Sequence, residues 1–356
     1  MKKIVTLLFV ALFSLCNAEE CCGYYAYGSL VYLHTQMDDL EYAVHRTNNV
    51  IFSPLSVETN GVDRDLDFTW KPGVQAGIGI DTGCGWYLEL SGIHYTYYVG
   101  GETTLESNEL NVEQLNPTWF PGLMGFSCLS ADAEWKLDYH VVDFEVGKTL
   151  CCSGCVSFTP SVGIRYLNVG QRYRVAYTDC AYLINDGGSD VTFFKDNNLY
   201  LESNYNGVGI KIASNFNYQM CSSLEFDATV STSAVYGGQD TDSYVNGAFP
   251  STFTGSLILF PVIYTKNDSP NRLFYNLDLE VGSTWNACEW CGYELSLTAS
   301  YLFTIWFHMN PFINNSFSDD PTGLVGAVNT NSSLVTSKLH GNLQMHGFTV
   351  GANVKF

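Results

Sequence analysis

Charge is scarce in this chain. Only 15% of its 356 residues are Asp, Glu, Lys or Arg, where an ordinary soluble protein carries about a quarter. Positive charge is scarcer still. The 16 Lys and Arg stand against 36 Asp and Glu, a net charge of -20, so nucleic acid and other polyanions are poor partners. Beyond Ala18 there is no run of 18 apolar residues, which excludes a helical membrane protein. GxSxG is missing, as is a glycine-rich phosphate loop leading into a helix, so the usual signatures of serine hydrolases and nucleotide enzymes are lacking. His34, His45, His94, His308, His340 and His346 are scattered without metal-ligand spacing. No cofactor and no metal site is expected.

Aromatic residues and glycine are plentiful: aromatics make up 15% of the chain, and 32 residues are Gly. Met1-Lys2-Lys3 followed by the apolar Ile4 to Leu15 and by Cys16-Asn17-Ala18 reads as a signal peptide over residues 1–18. Residues 19–356 then form one domain in an oxidising compartment. At the other end, Phe348, Val350, Ala352, Val354 and Phe356 alternate with Thr349, Gly351, Asn353 and Lys355. That period of two marks a strand with one apolar and one polar face.

The same alternation recurs throughout. Val74, Ala76, Ile78 and Ile80 share a face, then a turn near Cys84 leads to Trp86, Leu88 and Leu90. Three more hairpins turn near Cys152, Cys221 and Cys288. Between Val141 and Val142 the apolar parity slips, which predicts a β-bulge. Cys84, Cys152, Cys221, Cys288 and Phe356 are spaced by 68, 69, 67 and 68 residues. Each unit is a strand, a long polar segment, a strand and a short turn. Long connections at one end and short turns at the other are the pattern of a transmembrane antiparallel up-and-down β-barrel. A soluble β-sandwich alternates in the same way but has no reason to segregate its loops by length. At least ten strands are required. Val191 to Leu201 and Thr254 to Tyr264 are candidates for more, so the range is ten to sixteen, and width decides whether side chains fill the lumen or leave a channel.

Parity assigns Glu89, Glu145, Arg165, Lys211, Glu225, Asp227, Arg272, Asp278, Glu280 and Glu294 to the lumen. Seven acids against three bases read either as a cation-leaning pore or, in a barrel of only ten strands, as internal salt-bridge packing. Nine cysteines (Cys21, Cys22, Cys84, Cys151, Cys152, Cys155, Cys221, Cys288 and Cys291) fall at the short-turn rim, and only Cys128 and Cys180 in the long connections. Disulfides are the expected use of the rim cysteines, within the chain or to neighbouring envelope proteins. A zinc site from Cys152-x-x-Cys155 and Cys288-x-x-Cys291 is the alternative. Asp138-x-His140 and Asp240-x-Asp242 are similar, as short pairs only, to the Asp-His and Asp-Asp pairs of omptin proteases. Solvated loop acids and a histidine hydrogen-bonded within the lumen or girdle are the favoured explanation, since two short acidic motifs are expected by chance in an acidic chain, and no catalytic residue is expected.

Trp70-Lys71-Pro72-Gly73-Val74-Gln75-Ala76-Gly77, Gly85-Trp86-Tyr87-Leu88, Tyr95-Thr96-Tyr97-Tyr98, Tyr139 to Gly147, Pro160 to Tyr166 and Asn204 to Ile210 together resemble the major outer membrane proteins of the Legionella type. The cysteine-rich rim is similar to that of the cross-linked porins of chlamydia-like bacteria. The resemblance implies a porin of a Gram-negative outer membrane, trimeric and passing small hydrophilic solutes and ions by diffusion. The alternative is a structural barrel or adhesin with surface-exposed loops and no open channel. The alternating end at Phe356 also resembles the sorting signal of outer-membrane barrels. Expected partners are therefore outer-membrane lipid, the barrel-assembly machinery, copies of this chain, and disulfide-linked envelope proteins.

Overall fold

The computed structural model describes residues 23–47, 61–82, 85–105, 113–119, 128–153, 155–186, 189–250, 257–290, 293–318 and 333–356. The expected signal peptide, Cys21, Cys22, Cys84 and Cys291 lie outside them.

Period-two sequence becomes strand everywhere it was read. Ten strands form the main sheet: β1 (Gly23–Met37), β2 (Trp70–Asp81), β3 (Trp86–Thr104), β4 (Ser130–Lys148), β5 (Val156–Asp186), β6 (Ser189–Cys221), β7 (Leu224–Pro250), β8 (Leu257–Trp290), β9 (Tyr293–Phe307) and β10 (Leu343–Lys355). Each is antiparallel to its neighbours in sequence. β10 also pairs with β1, from Tyr25↔Lys355 to Met37↔Leu343, so the sheet closes on itself and has no free edge. The closure is complete to the last residue, since Tyr24 and Phe356 exchange backbone hydrogen bonds of 2.8 Å in both directions.

Ten is the lower end of the expected range. Val191 to Leu201 and the described part of Thr254 to Tyr264 are not extra crossings. They are the outward extensions of β6 and β8, which run for 33 and 34 residues. Both arms stay paired beyond any bilayer thickness, so the long polar segments there are continued hairpin.

Strand parity sorts the side chains. Outward-pointing Leu30, Val74, Ile78, Val162, Ile164, Val208, Ile210, Ile212, Val230, Val281 and Val350 are all exposed on the isolated barrel, Leu30 at 68%. In a membrane this band faces lipid. Aromatics edge it: Tyr24, Trp86, Tyr218, Phe226, Trp285, Tyr293 and Phe356 on the short-turn side, and Tyr32, Tyr236, Tyr275, Tyr301 and Phe348 on the other. Phe226 and Tyr236 are ten residues apart on β7. At about 3.3 Å per residue and a tilt near 40° that is about 25 Å, the height of a barrel's lipid band.

β4 corrects the expected bulge. Its register with β3 and β5 is unbroken from Ser130 to Gly147, with every odd residue from Ala131 to Gly147 inward and buried. Val141 is inward and Val142 outward. The parity of the backbone never slips. What changes is the lining of the lumen, which is charged at Asp143 and Glu145 and apolar from Val141 upward.

That apolar upper lining has a partner. The described parts of the connections after β1, β3 and β9 fold back into the outer mouth. Leu40, Tyr42, Leu66, Leu105, Leu115, Trp119, Met309 and Phe312 pack there against inward Tyr97, Trp135, Leu137, Leu167, Tyr173, Val175 and Tyr177 as one buried cluster. Asp39 and His308 turn the chain inward with φ of 64° and 56°, conformations that Asp and His accept more readily than branched residues. Short strands Ala43–Thr47, Gly61–Arg64 and Glu113–Pro117 pair into a small sheet in this cork. The disulfide Cys128–Cys180 ties its edge to β5.

Candidate functional site

Beneath the cork the lumen holds a cavity of about 230 Å3. Its roof is the underside of the apolar cluster: Leu33, Tyr139, Val141, Leu302 and Met345. Trp306 braces it, donating from Nε1 to the Tyr139 hydroxyl at 3.0 Å.

The walls are ionic. Arg165 on β5 donates to Asp143 on β4 from Nε (2.8 Å) and Nη2 (2.7 Å), a bidentate pair, and from Nη1 to Asp278 on β8 (2.7 Å). Its guanidinium also lies 5.9 Å from the Trp306 ring centre. Lys211 on β6 reaches Asp143 at 2.7 Å and also bonds Glu145. Asp278 further accepts from Asn276 (2.6 Å) and Ser231 (3.0 Å). The network joins β4, β5, β6 and β8 across the lumen. A planar, permanently charged guanidinium suits a bidentate bridge of this kind.

Glu89 and Glu280 complete the carboxylates of the cavity. Glu89 accepts the hydroxyls of Tyr25 and Tyr27, each at 2.9 Å, and Glu280 that of Ser300 at 2.6 Å. The two tyrosine rings lie over the bare backbone of Gly79 and Gly77, where a Cβ would overlap them. Glycine at those positions lets the hydroxyls reach Glu89. Five carboxylates and two cations leave the cavity acidic.

Of the ten residues assigned inward by parity, Glu89, Glu145, Arg165, Lys211, Asp278 and Glu280 line this one cavity. Glu225 and Asp227 sit partly buried nearer the short-turn rim, where Asp227 accepts from Thr284 at 3.1 Å. Arg272 is half-buried near the outer mouth. Glu294 is exposed at the rim, its backbone opposite Lys355. All ten assigned residues sit where strand parity puts them, but the assignment lacks Asp143, which shares the face of Glu145. The inward Tyr25 and Tyr27 carry no charge, so a parity assignment of charged residues does not reach them.

Asp138 and His140 point outward. Asp138 is paired with Lys136 (2.9 Å), and His140 contacts His94. Asp240 is also outward and exposed, on β7 opposite Asn204. Register places Asp138 and Asp240 in one outward row, three strands apart through Gly170 and Asn204, which at about 4.8 Å per strand is too far for the two pairs to meet.

At the short-turn rim Cys155, Cys221 and Cys288 are exposed free thiols. Cys151 and Cys152 lie in the short strand Leu150–Ser153, which pairs with β5. The described disulfide joins instead the two cysteines of the long connections, which proximity in sequence did not suggest. The thiol of Cys221 is held below its usual pKa by the Ser223 hydroxyl, 3.6 Å away, and by the turn's backbone. At the outer mouth, burial raises Glu41, with Asp65, Asp39 and Asp63 adding to the effect. Burial likewise raises Asp65.

Among solved structures, the outer membrane protease OmpT of Escherichia coli is similar at 11% identity and a TM-score of 0.38, covering 94% of this chain and 96% of its own. A Pseudomonas aeruginosa FadL homologue gives 8%, 0.28, 94% and 90%. The Pseudomonas putida toluene transporter TodX gives 7%, 0.28, 96% and 91%. No curated protein matches the sequence. The family model of the Legionella pneumophila major outer membrane protein precursor matches residues 18–356. A closed ten-stranded barrel with a lipid-facing band and a match over nearly its whole length make this chain an outer-membrane protein that belongs to the Legionella major outer membrane protein family.

Proposed function

We propose that this protein is a closed barrel that serves the outer membrane as a structural, surface-presenting element rather than as an open diffusion pore. The observation that carries this reading is the cork. Leu40, Leu66, Leu115, Trp119, Met309 and Phe312 are each at most 4% exposed. Burying a large apolar side chain stabilises by about 1.5–3 kcal/mol. Withdrawing six of them together therefore costs about 9 kcal/mol or more, a factor of about a million in population at 1.4 kcal/mol per tenfold. The wall behind the cork, with Ala133, Trp135 and Leu137, is a packing surface and would be a poor wall for water.

The polar lower lumen favours a second reading, the porin implied by the sequence resemblance. Its acidic cavity suits small cations, and a path to the outside requires part of the cork to move. Replacing Asp278 and Glu280 by Asn and Gln lowers cation preference on that reading, and unchanged reversal potentials rule it out. The exposed thiols at the rim support a further structural role, disulfide linkage to neighbouring barrels or envelope proteins. A higher-mass band on non-reducing gels, lost on reduction, is the expected sign of it.

Liposome swelling separates the two readings. Proteoliposomes diluted into isotonic arabinose keep their volume if the barrel is closed. Swelling at a rate proportional to protein content overturns the closed reading and supports the porin.

A further inference from the structure

Histidine is distributed unusually here. Of seven histidines, four lie directly opposite one another on neighbouring strands, as His34↔His346 and His94↔His140. Both pairs point outward. On β3 and β4 the outward residues below are Gly92, Leu90, Val142 and Phe144, and those above are Thr96 and Asp138. The pair His94/His140 thus marks the upper limit of the lipid band, where headgroups and water begin.

The two pairs differ in what their nitrogens do. His346 Nδ1 is engaged by the Tyr301 hydroxyl at 2.7 Å and His34 Nε2 by the Phe68 carbonyl at 3.2 Å. His308, which packs against His340, has its Nδ1 on that residue's carbonyl at 3.1 Å. Only in His94/His140, among these, does ring nitrogen face ring nitrogen. The Nδ1 atoms are 2.9 Å apart, the ring centres 4.5 Å apart and the planes 25° from parallel; His94 is exposed and His140 partly so.

The geometry points to a bidentate site for a divalent transition-metal ion, Cu2+ before Ni2+, held by His94 Nδ1 and His140 Nδ1. Imidazole is the commonest protein ligand for such ions, and the general affinity order puts Cu2+ first. Metal–nitrogen bonds of about 2.05 Å place two neighbouring ligand nitrogens about 2.9–3.3 Å apart. Without metal the two nitrogens share a hydrogen bond at 2.9 Å, and the ion takes the place of that proton. The lone pairs converge after a rotation about χ2, a broad torsion in histidine. Water completes the coordination. Strand pairing from Trp86↔Lys148 to Thr104↔Ser130 fixes the two backbones, so the site is organised by the barrel wall and is independent of whether the lumen is open or closed.

The test uses the full chain, without a histidine tag, folded in detergent micelles, with thiols capped by N-ethylmaleimide. One equivalent of Cu2+ is added after chelator treatment, and the copper is read by electron paramagnetic resonance and electron spin echo modulation. Two equatorial imidazoles are expected. The signature falls to one in His94→Ala and in His140→Ala, and is unchanged in His34→Ala. In the unmodified protein, Cu2+ also protects His94 and His140 from diethylpyrocarbonate, mapped by mass spectrometry, which keeps the inference testable if a variant fails to fold. The proposal is overturned by absence of bound copper at one equivalent, by a two-imidazole signal that survives both substitutions, or by protection of other histidines only.

Discussion

Replacing Arg165 by Met is the sharpest perturbation of the lumen. The side chain is 5% exposed and makes the three charge-assisted bonds described above, two to Asp143 and one to Asp278. Met fills much of the same volume and keeps the contact with Trp306, so the loss is mainly electrostatic. Asp143 retains Lys211, and Asp278 retains Asn276 and Ser231, but Asp278 loses its ion pair. Removing one partner of a buried pair costs about 3–5 kcal/mol, chiefly because the other charge stays buried and uncompensated. With Lys211 still on Asp143, about 3 kcal/mol is expected. Adding Asp278→Asn to Arg165→Met removes the orphaned charge, so the double variant should recover at least 1 kcal/mol relative to Arg165→Met alone, a coupling of the size seen between contacting residues. The assay is equilibrium urea unfolding in detergent micelles followed by tryptophan fluorescence. A loss below about 1 kcal/mol for Arg165→Met, or strictly additive effects in the double variant, refutes the reasoning.

Three further outcomes follow from other parts of the molecule. Because the Ser223 hydroxyl lowers the pKa of the Cys221 thiol, more of it is thiolate at neutral pH; Ser223→Ala should slow alkylation of Cys221 by iodoacetamide at pH 7.5, measured by mass spectrometry, and an unchanged rate contradicts this. Glu41 and Asp65 in the outer mouth have raised pKa values, so they take up protons on folding, and their unfavourable effect, present above the folded-state values, fades as pH falls towards the ordinary carboxylate range. Amide exchange in residues 39–47 and 61–68, corrected for intrinsic rates, should be slower at pH 5 than at pH 7, and faster exchange would reverse the sign. Deleting Phe356 removes its two backbone bonds to Tyr24 and its ring contacts with Tyr24 and Tyr293; less heat-modifiable barrel should be recovered from outer membranes, and normal recovery argues against a role for the terminal residue in assembly.

The barrel itself was legible in the sequence because each crossing obeys one rule, apolar every second residue with turns at a regular interval. Leu30, Ile210 and Val350 could be placed on the lipid face from parity alone. Lumen charges such as Glu145 and Lys211 followed from the same rule, since the opposite face of a known strand is fixed. What parity could not show was which lumen charges meet. Arg165 and Asp278 are separated by 113 residues and are brought together only by closure of the sheet.

The cork was not legible, for a different reason. Trp119 and Phe312 lie in segments without periodicity, so nothing in their spacing says that they fold inward. The one available signal was the run of inward apolar residues on β4, Ala131, Ala133, Trp135 and Leu137, which a water-filled mouth would not need. In sequence alone that run is indistinguishable from a slip in strand register, because an apolar lumen wall looks like a displaced lipid face until something covers it. The same confusion hid Tyr173 and Tyr177, which hold Leu40 and Tyr42 by their backbone carbonyls at 3.0 Å and 2.6 Å. The pairing Cys128–Cys180 has no signature in the sequence either, since the two cysteines lie in different long connections, 52 residues apart, while most cysteines cluster in the short turns.

The closed outer mouth is the claim on which the functional reading depends, and single-channel recording in planar bilayers tests it most directly. The purified full chain, incorporated in 1 M KCl and held at up to 100 mV, should give a flat baseline without unitary steps. Recurrent discrete steps of uniform size, present with this protein and lost with a heat-denatured control, would contradict it.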